Sequence, residues 1–145
     1  MYKRILLPTD GSEASQRAIL SGVEFARDIG ADVVGLHVTP PFHVVTADSA
    51  MLEDTPEQYA AVSAARARKL LTDVERTALE AGVSFRLEQA SSDEAYEAII
   101  ETARRLDCDL IVMASHGRRG IRALLLGSET QKVLVHSAIP VLVHR

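Results

Sequence analysis

Short, strongly apolar runs recur along this chain, each separated from the next by a longer segment of helical period, and that alternation admits few folds. Ile5-Leu6-Leu7, Val33-Val34-Gly35-Leu36-His37-Val38, Val83 to Leu87, Leu110-Ile111-Val112-Met113 and Pro140-Val141-Leu142-Val143 read as five strands. Ser12 is suited to cap a helix running to about Ile29, with Ala14, Ala18, Gly22, Ala26 and Ile29 near helical spacing and Gly30 placed to end it. Pro56 opens a long helix, rich in alanine and arginine, that closes at Ala81 before Gly82. Ala95 to Leu106 and Glu129 to His136 read as two further helices. Thr39 to Thr55, with Pro40-Pro41 and no clear period, is a connection long enough to carry function.

Strands that alternate with helices imply an α/β architecture, an open doubly wound parallel sheet with right-handed crossovers and helices on both faces. The 145 residues suit one domain over 1–145. Two strand orders are common, 3-2-1-4-5 and 2-1-3-4-5. Ligands in such sheets sit beyond the carboxyl ends of the strands where the winding reverses. Only the order 3-2-1-4-5 sets the loops after strands one and four on the two sides of that point, and both carry turn chemistry, so this order is predicted.

The loop after strand one is Pro8-Thr9-Asp10-Gly11. The loop after strand four is Ala114-Ser115-His116-Gly117-Arg118-Arg119-Gly120, continuing through Arg122 to Gly127-Ser128-Glu129-Thr130. A strand, a glycine-punctuated loop and a helix N-terminus are the parts of an anion site, because freed backbone N–H groups and the helix dipole both favour negative charge. His116, Arg118, Arg119 and Arg122 precede the first acid, Glu129, in a chain whose net charge is −4. That net charge argues against a nucleic-acid or membrane-surface binder. The lone Cys108 makes no internal disulfide, and no signal-peptide pattern or membrane-length apolar run is present, which suits a cytoplasmic protein. Neither a Walker-type P-loop nor a G-x-G-x-x-G fingerprint occurs.

The chain resembles the universal stress protein family along its whole length. The carrying segments are Ile5 to Ser12, Leu36-His37-Val38, Asp109 to Met113, and Ser115-His116-Gly117-Arg118 through Gly127-Ser128 to Val143. The nucleotide-binding branch of that family has a G-x2-G-x9-G-[ST] signature, which Gly117, Gly127 and Ser128 match, with Ala114 in place of the first glycine. The resemblance implies ATP as ligand, with Mg2+ as a companion ion. It implies Asp10 on the ribose hydroxyls, with Pro8 and Thr9 shaping the same wall. Val38 would meet the adenine edge through its backbone, and Met113 and Ala114 would line the sugar. Gly117, Gly127, Ser128 and Glu129 would bind phosphates, mostly by backbone N–H, with His116 and Arg118 in the same loop.

The residues also admit plainer roles. Ser128-Glu129-Thr130-Gln131 has the form of a capping box that needs no ligand, and this need not exclude phosphate contact. Asp10 suits an Asx turn before Ser12. His37 reads as a packed core imidazole, the five histidines lack metal-ligand spacing, and Cys108 reads as an inert thiol. At Ala114 the added methyl costs about 1 to 2 kcal/mol if φ is positive and nothing if the backbone is extended, the expected case at a strand end. Glu129 beside phosphates calls for a divalent ion or a side chain turned away. Ala95 stands where the family often has proline.

No nucleophile–base–orienter set and no carboxylate cluster is visible. The function the resemblance implies is that of a nucleotide-dependent stress-response regulator or sensor, with a dimeric interaction module of the same fold or a slow ATPase as alternatives. Strand five would be an apolar sheet edge, uncharged until His144-Arg145, and such edges are usually covered. Antiparallel pairing of residues 140–144 with a second copy would cover it, and the resemblance points to the same homodimer.

Overall fold

The computed structural model describes residues 1–42, 55–117 and 126–145. Along the chain it shows β1 (Arg4–Pro8), α1 (Glu13–Ile29), β2 (Asp32–Thr39), α2 (Pro56–Ala81), β3 (Phe85–Ser91), α3 (Ala95–Arg105), β4 (Leu110–Ala114), α4 (Ser128–His136) and β5 (Val141–His144). The strands form one five-stranded sheet of order β3-β2-β1-β4-β5, and every pairing is parallel. The predicted architecture and strand order are both observed.

The helix boundaries follow local chemistry. Ser12 accepts the Ser15 N–H at the start of α1, and Gly30, at φ 73°, closes its end by donating to the carbonyls of Ala26 and Arg27. At the start of α2 the Thr55 hydroxyl and the Gln58 side chain satisfy each other's backbone N–H, with Pro56 in the first turn. That box is written in the sequence as Thr55-Pro56-Glu57-Gln58, and it supplements the proline signal.

Alternation along the strands sends side chains to two cores. Ile5, Leu7, Val33, Leu110 and Val112 pack against Ile19, Val23 and Ala26 of α1 and Val74 and Ala78 of α2. Leu6, Val34, Leu36, Ile111 and Met113 pack against Ile99 and Ala103 of α3 and Val133 of α4. Each fully buried side chain of this kind contributes about 1.5 to 3 kcal/mol.

Several boundaries differ by a residue or more from the sequence-based expectation, and two elements show why. The third strand is Phe85–Ser91 rather than Val83 to Leu87. The Val83 N–H turns back to the Ala78 carbonyl at 2.9 Å, so Val83 belongs to the closure of α2. The far end of the strand is hidden in sequence by polar residues, Glu88 being bound by both Arg86 and Arg105. The last helix begins at Ser128, one residue early, with Gly127 as its N-cap.

The sheet also opens at its centre. β1 and β4 pair through Ile5↔Leu110 and Leu6↔Ile111, whereas β1 stays with β2 as far as Pro8↔Leu36 and β4 stays with β5 as far as Ala114↔His144. Beyond Leu6 and Ile111 the two central strands are each held by their outer neighbour. The loops that follow them begin on opposite sides of that divide.

Candidate functional site

The loop after β1 is held by its own polar groups. Thr9 is 5% exposed. Its N–H extends the ladder to Leu36 O at 2.8 Å, and its hydroxyl meets Ser15 Oγ at 3.0 Å while accepting the Gly11 N–H at 3.1 Å. Thr9 is thus nearly buried, with its side chain committed to the loop. Asp10 Oδ1 accepts the Ser12 N–H at 2.9 Å, the Asx turn that the sequence allows. The other carboxylate oxygen, Oδ2, lies against Gly117, so close that a Cβ there would collide with it. One carboxylate therefore both folds its own turn and joins the two loops. His37, expected in the core, is half-buried, with Nδ1 2.8 Å from Thr9 O.

The loop after β4 is equally constrained. Ser115 N donates to His144 O at 2.9 Å, and Gly127 N donates to Ser115 O at 2.6 Å, which pins the start of α4 to the end of β4. Thr130 reinforces the junction by donating its hydroxyl to Ala114 O at 2.9 Å. A Cβ on Gly127 would stand 3.2 Å from His116 Cα. Among the described glycines only Gly11, Gly30 and Gly82 have positive φ, so Gly117 and Gly127 are required for room and not for backbone conformation. His116 Nδ1 lies 3.1 Å from Ser115 Oγ. Arg118, with Arg119, Gly120 and Arg122, lies outside the described residues.

Ala114 is extended, as the last residue of β4, and its methyl packs with Ala14 and Ala18 of α1. The missing first glycine of the signature thus carries no backbone penalty. Met113 belongs to the core beside α3 and α4. Both residues are only 7% exposed, so little of either is open to a ligand.

At the start of α4, Gly127 occupies the N-cap at φ −62° and ψ 153° and provides no side-chain cap. The Ser128-to-Gln131 capping box is therefore not formed, because the pull of Ser115 on the Gly127 N–H starts the helix one residue sooner. Gln131 instead donates its side-chain amide to Leu126 O at 2.9 Å. Among the described residues no side-chain acceptor meets the first-turn N–H groups of α4, and the helix dipole adds to their positive character.

Glu129 does not present its carboxylate to that space. Its Oε2 accepts the Tyr96 N–H at 2.9 Å, and its Oε1 lies 3.6 Å from Lys132 Nζ. It caps α3 from another helix, where the N-cap residue Glu94 makes no side-chain cap bond. Lys132 also reaches Glu94 Oε2 at 3.2 Å. The Glu94 hydrogen bond, followed by the charges of Glu129 and Glu94, raises the Lys132 pKa above its ordinary value. This turn of the side chain removes the charge conflict expected beside an anion. The spacing of 33 residues between Glu129 and Tyr96 left no local signal in sequence.

Val38 completes the perimeter. Leu36 O faces β1 and Thr39 O faces β3, the latter accepting Ser92 N at 3.1 Å. Alternation then directs the Val38 N–H and C=O to the β1 side, beyond the last residue of that strand. Among the described residues no group of three or more His, Cys, Asp or Glu side chains is arranged to hold a metal ion. No described helix is long and apolar enough to cross a membrane. A polar cleft lined by Lys3, Arg4, Asp32, Ser84 and Asp107 opens at the opposite end of the strands. There the Arg4 guanidinium is committed to Asp32 and to Leu106 O.

The family model for the universal stress protein family matches residues 1–145. Universal stress protein MJ0531 of Methanocaldococcus jannaschii is 32% identical over 145 residues, covering 99% of this chain and 82% of that protein. The solved structure of MJ0577, reported as a structure-based assignment of biochemical function, superposes with a TM-score of 0.82 at 27% identity over 99% of this chain and 95% of its own. A universal stress protein solved in complex with cAMP superposes at 0.73 with 25% identity, covering 99% of this chain and 97% of its own. With the whole chain matched and the strand order shared, this protein belongs to the universal stress protein family.

Proposed function

We propose that the crevice between β1 and β4 binds an adenine nucleotide, ATP foremost, and that the protein is a nucleotide-dependent stress-response regulator or sensor. The observation that carries this reading is the apposition of Asp10 and Gly117, which brings an ionised acceptor and a glycine-rich loop to one point at the switch of the winding. Asp10 is suited to ribose hydroxyls, since a carboxylate offers several acceptor lone pairs. The Val38 backbone is suited to the adenine edge. The N–H groups of Gly117, Gly127, Ser128 and Glu129, with the Ser128 hydroxyl and the His116 ring, are suited to phosphate oxygens, and Arg118 belongs to the same loop. Pro8, Thr9, Met113 and Ala114 form the walls. The similar protein solved with cAMP carries an adenine nucleotide on this fold. A Mg2+ ion would arrive on the phosphates, because Glu129 is engaged by Tyr96 and Lys132.

The experiment is to denature the purified protein, identify any released nucleotide by chromatography, and titrate the nucleotide-free chain with ATP and cyclic AMP. Saturable binding of either supports the reading; no binding at millimolar concentration rejects it.

We further infer a cytoplasmic homodimer in which residues 140–144 of two copies pair antiparallel. Leu142 on the edge strand is 40% exposed, an apolar edge surface that a second copy would cover. Leu142→Lys is expected to shift sedimentation from dimer to monomer, and a monomeric wild type would reject the pairing. That same surface favours the alternative of an interaction module with a weak or vestigial nucleotide site, which the titration separates. Phosphate release from ATP, measured in wild type and Asp10→Ala, tests the slow-ATPase alternative.

A further inference from the structure

The parallel ladder between β1 and β2 stops in an unusual way. Its last rung is Thr9 N–H to Leu36 O, at 2.8 Å. In a continuing ladder the next rung would run from Val38 N–H to Thr9 O. Among the described residues no such backbone bond is made. Thr9 O is met instead by Nδ1 of His37, at 2.8 Å. A carbonyl only accepts, so Nδ1 carries the proton and the tautomer follows from the geometry. His37 alternates with Leu36, whose side chain belongs to the core beneath α3 and α4, so the imidazole approaches from the α1 and α2 face. The Thr9 carbonyl, immediately before Asp10, is thereby engaged by a side chain in place of the β2 backbone.

We propose that His37 is the positioning residue that makes this crevice selective for adenine. Holding Thr9 O keeps the Val38 N–H and C=O unpaired by β1, so that one backbone donor and one acceptor, on the same side of one residue, remain for the base. An adenine presents an acceptor at N1 beside a donor at its 6-amino group, which complements that pair. Hypoxanthine and guanine present the reverse, a donor at N1 and an acceptor at O6, and leave both Val38 groups mismatched. The proposal rests on the adenine-nucleotide reading above and adds the residue that sets base choice. His37 acts through Thr9 and Val38, and also orients Asp10 through the same carbonyl.

The test compares wild type with His37→Phe, which removes the donor, and His37→Asn, whose side-chain amide can donate from nearly the same place as Nδ1. Equilibrium binding of ATP and of inosine triphosphate gives the base preference, and amide hydrogen exchange of the nucleotide-free chains reports on Val38. Wild type is expected to favour ATP by about tenfold or more. His37→Phe should bring that ratio towards one, with Val38 becoming protected as its N–H pairs with Thr9 O. His37→Asn should restore much of both. An unchanged ATP preference in His37→Phe overturns the proposal, as does a Val38 amide already protected in the nucleotide-free wild type. The exchange measurement uses the wild-type chain, so it decides the point even if the phenylalanine variant does not fold. Failure of wild type to bind any adenine nucleotide rejects the underlying reading and the selectivity with it, an outcome distinct from binding with unaltered preference.

Discussion

Replacing Gly117 with alanine adds one methyl group at the point where the two loops meet. Gly117 is not at positive φ, so alanine carries no intrinsic backbone strain there. The methyl would overlap Asp10 Oδ2 and stand 3.4 Å from Asp10 Cγ, and the carboxylate must rotate away. Rotation breaks the 2.9 Å bond that Oδ1 accepts from Ser12 N. A hydrogen bond to a charged group is worth about 1.5 to 3 kcal/mol when fully made. This one is part-buried and water replaces part of it, so folding should lose about 1 kcal/mol, or roughly 3 °C in Tm for a chain of this size. In the proposed site binding should lose more, because a displaced carboxylate would no longer meet the ribose. At about 1.5 to 3 kcal/mol the ATP Kd should rise by roughly 10- to 150-fold. Calorimetric titration of wild type, Gly117→Ala, Asp10→Ala and the double variant closes a cycle. The methyl acts through Asp10, so Gly117→Ala should add almost nothing in the Asp10→Ala background. A Kd within twofold of wild type, or fully additive losses, would refute the apposition as the basis of binding.

Glu129→Ala removes the cap on Tyr96 N and the partner of Lys132 together; urea unfolding should show about 1 kcal/mol of destabilisation, and an unchanged midpoint would contradict the cross-helix cap. Asp109 is opposed by burial, but the N–H groups of Arg4 and Lys3 outweigh it and hold the carboxyl below its ordinary value of 3.8. Its folded-state pKa is thus depressed, so its stabilisation is present above pH 3.8 and lost as the pH falls through the lower folded value. Asp109→Asn should therefore lower Tm at neutral pH, with the difference from wild type shrinking in acid; a pH-independent difference would count against this origin. Burial pushes the Cys108 thiol up to about 11, so a thiol reagent at pH 7.5 should label the unfolded chain and leave the folded one unmodified, and rapid labelling of native protein would be inconsistent with it.

What was legible in sequence was the part governed by neighbours. Ser12, Gly30, Pro56 and Gly82 sit at helix ends because each satisfies or terminates backbone groups within a few residues. The strand order followed from one further requirement, that the loops after β1 and β4 flank the point where the winding reverses. The extended state of Ala114 was foreseeable for the same reason. What was not legible depended on partners far along the chain. The start of α4 is set by Ser115 O acting on Gly127, which displaced a capping box that looked complete. Glu129 serves Tyr96, and His37 serves Thr9, through bonds with no periodic trace. β3 slipped because Val83 resembles a strand residue by composition yet is used to close a helix.

The central claim is that adenine nucleotide occupies the divide between β1 and β4. Its most direct test is a titration of the isotope-labelled, nucleotide-free chain with magnesium ATP, followed by amide NMR shifts. Saturable shifts with a common Kd at Asp10, Val38, Gly117, Gly127 and Ser128 are predicted. Shifts that instead gather around Lys3, Arg4 and Ser84 at the opposite end of the strands, or no shifts at millimolar ATP, would contradict the account.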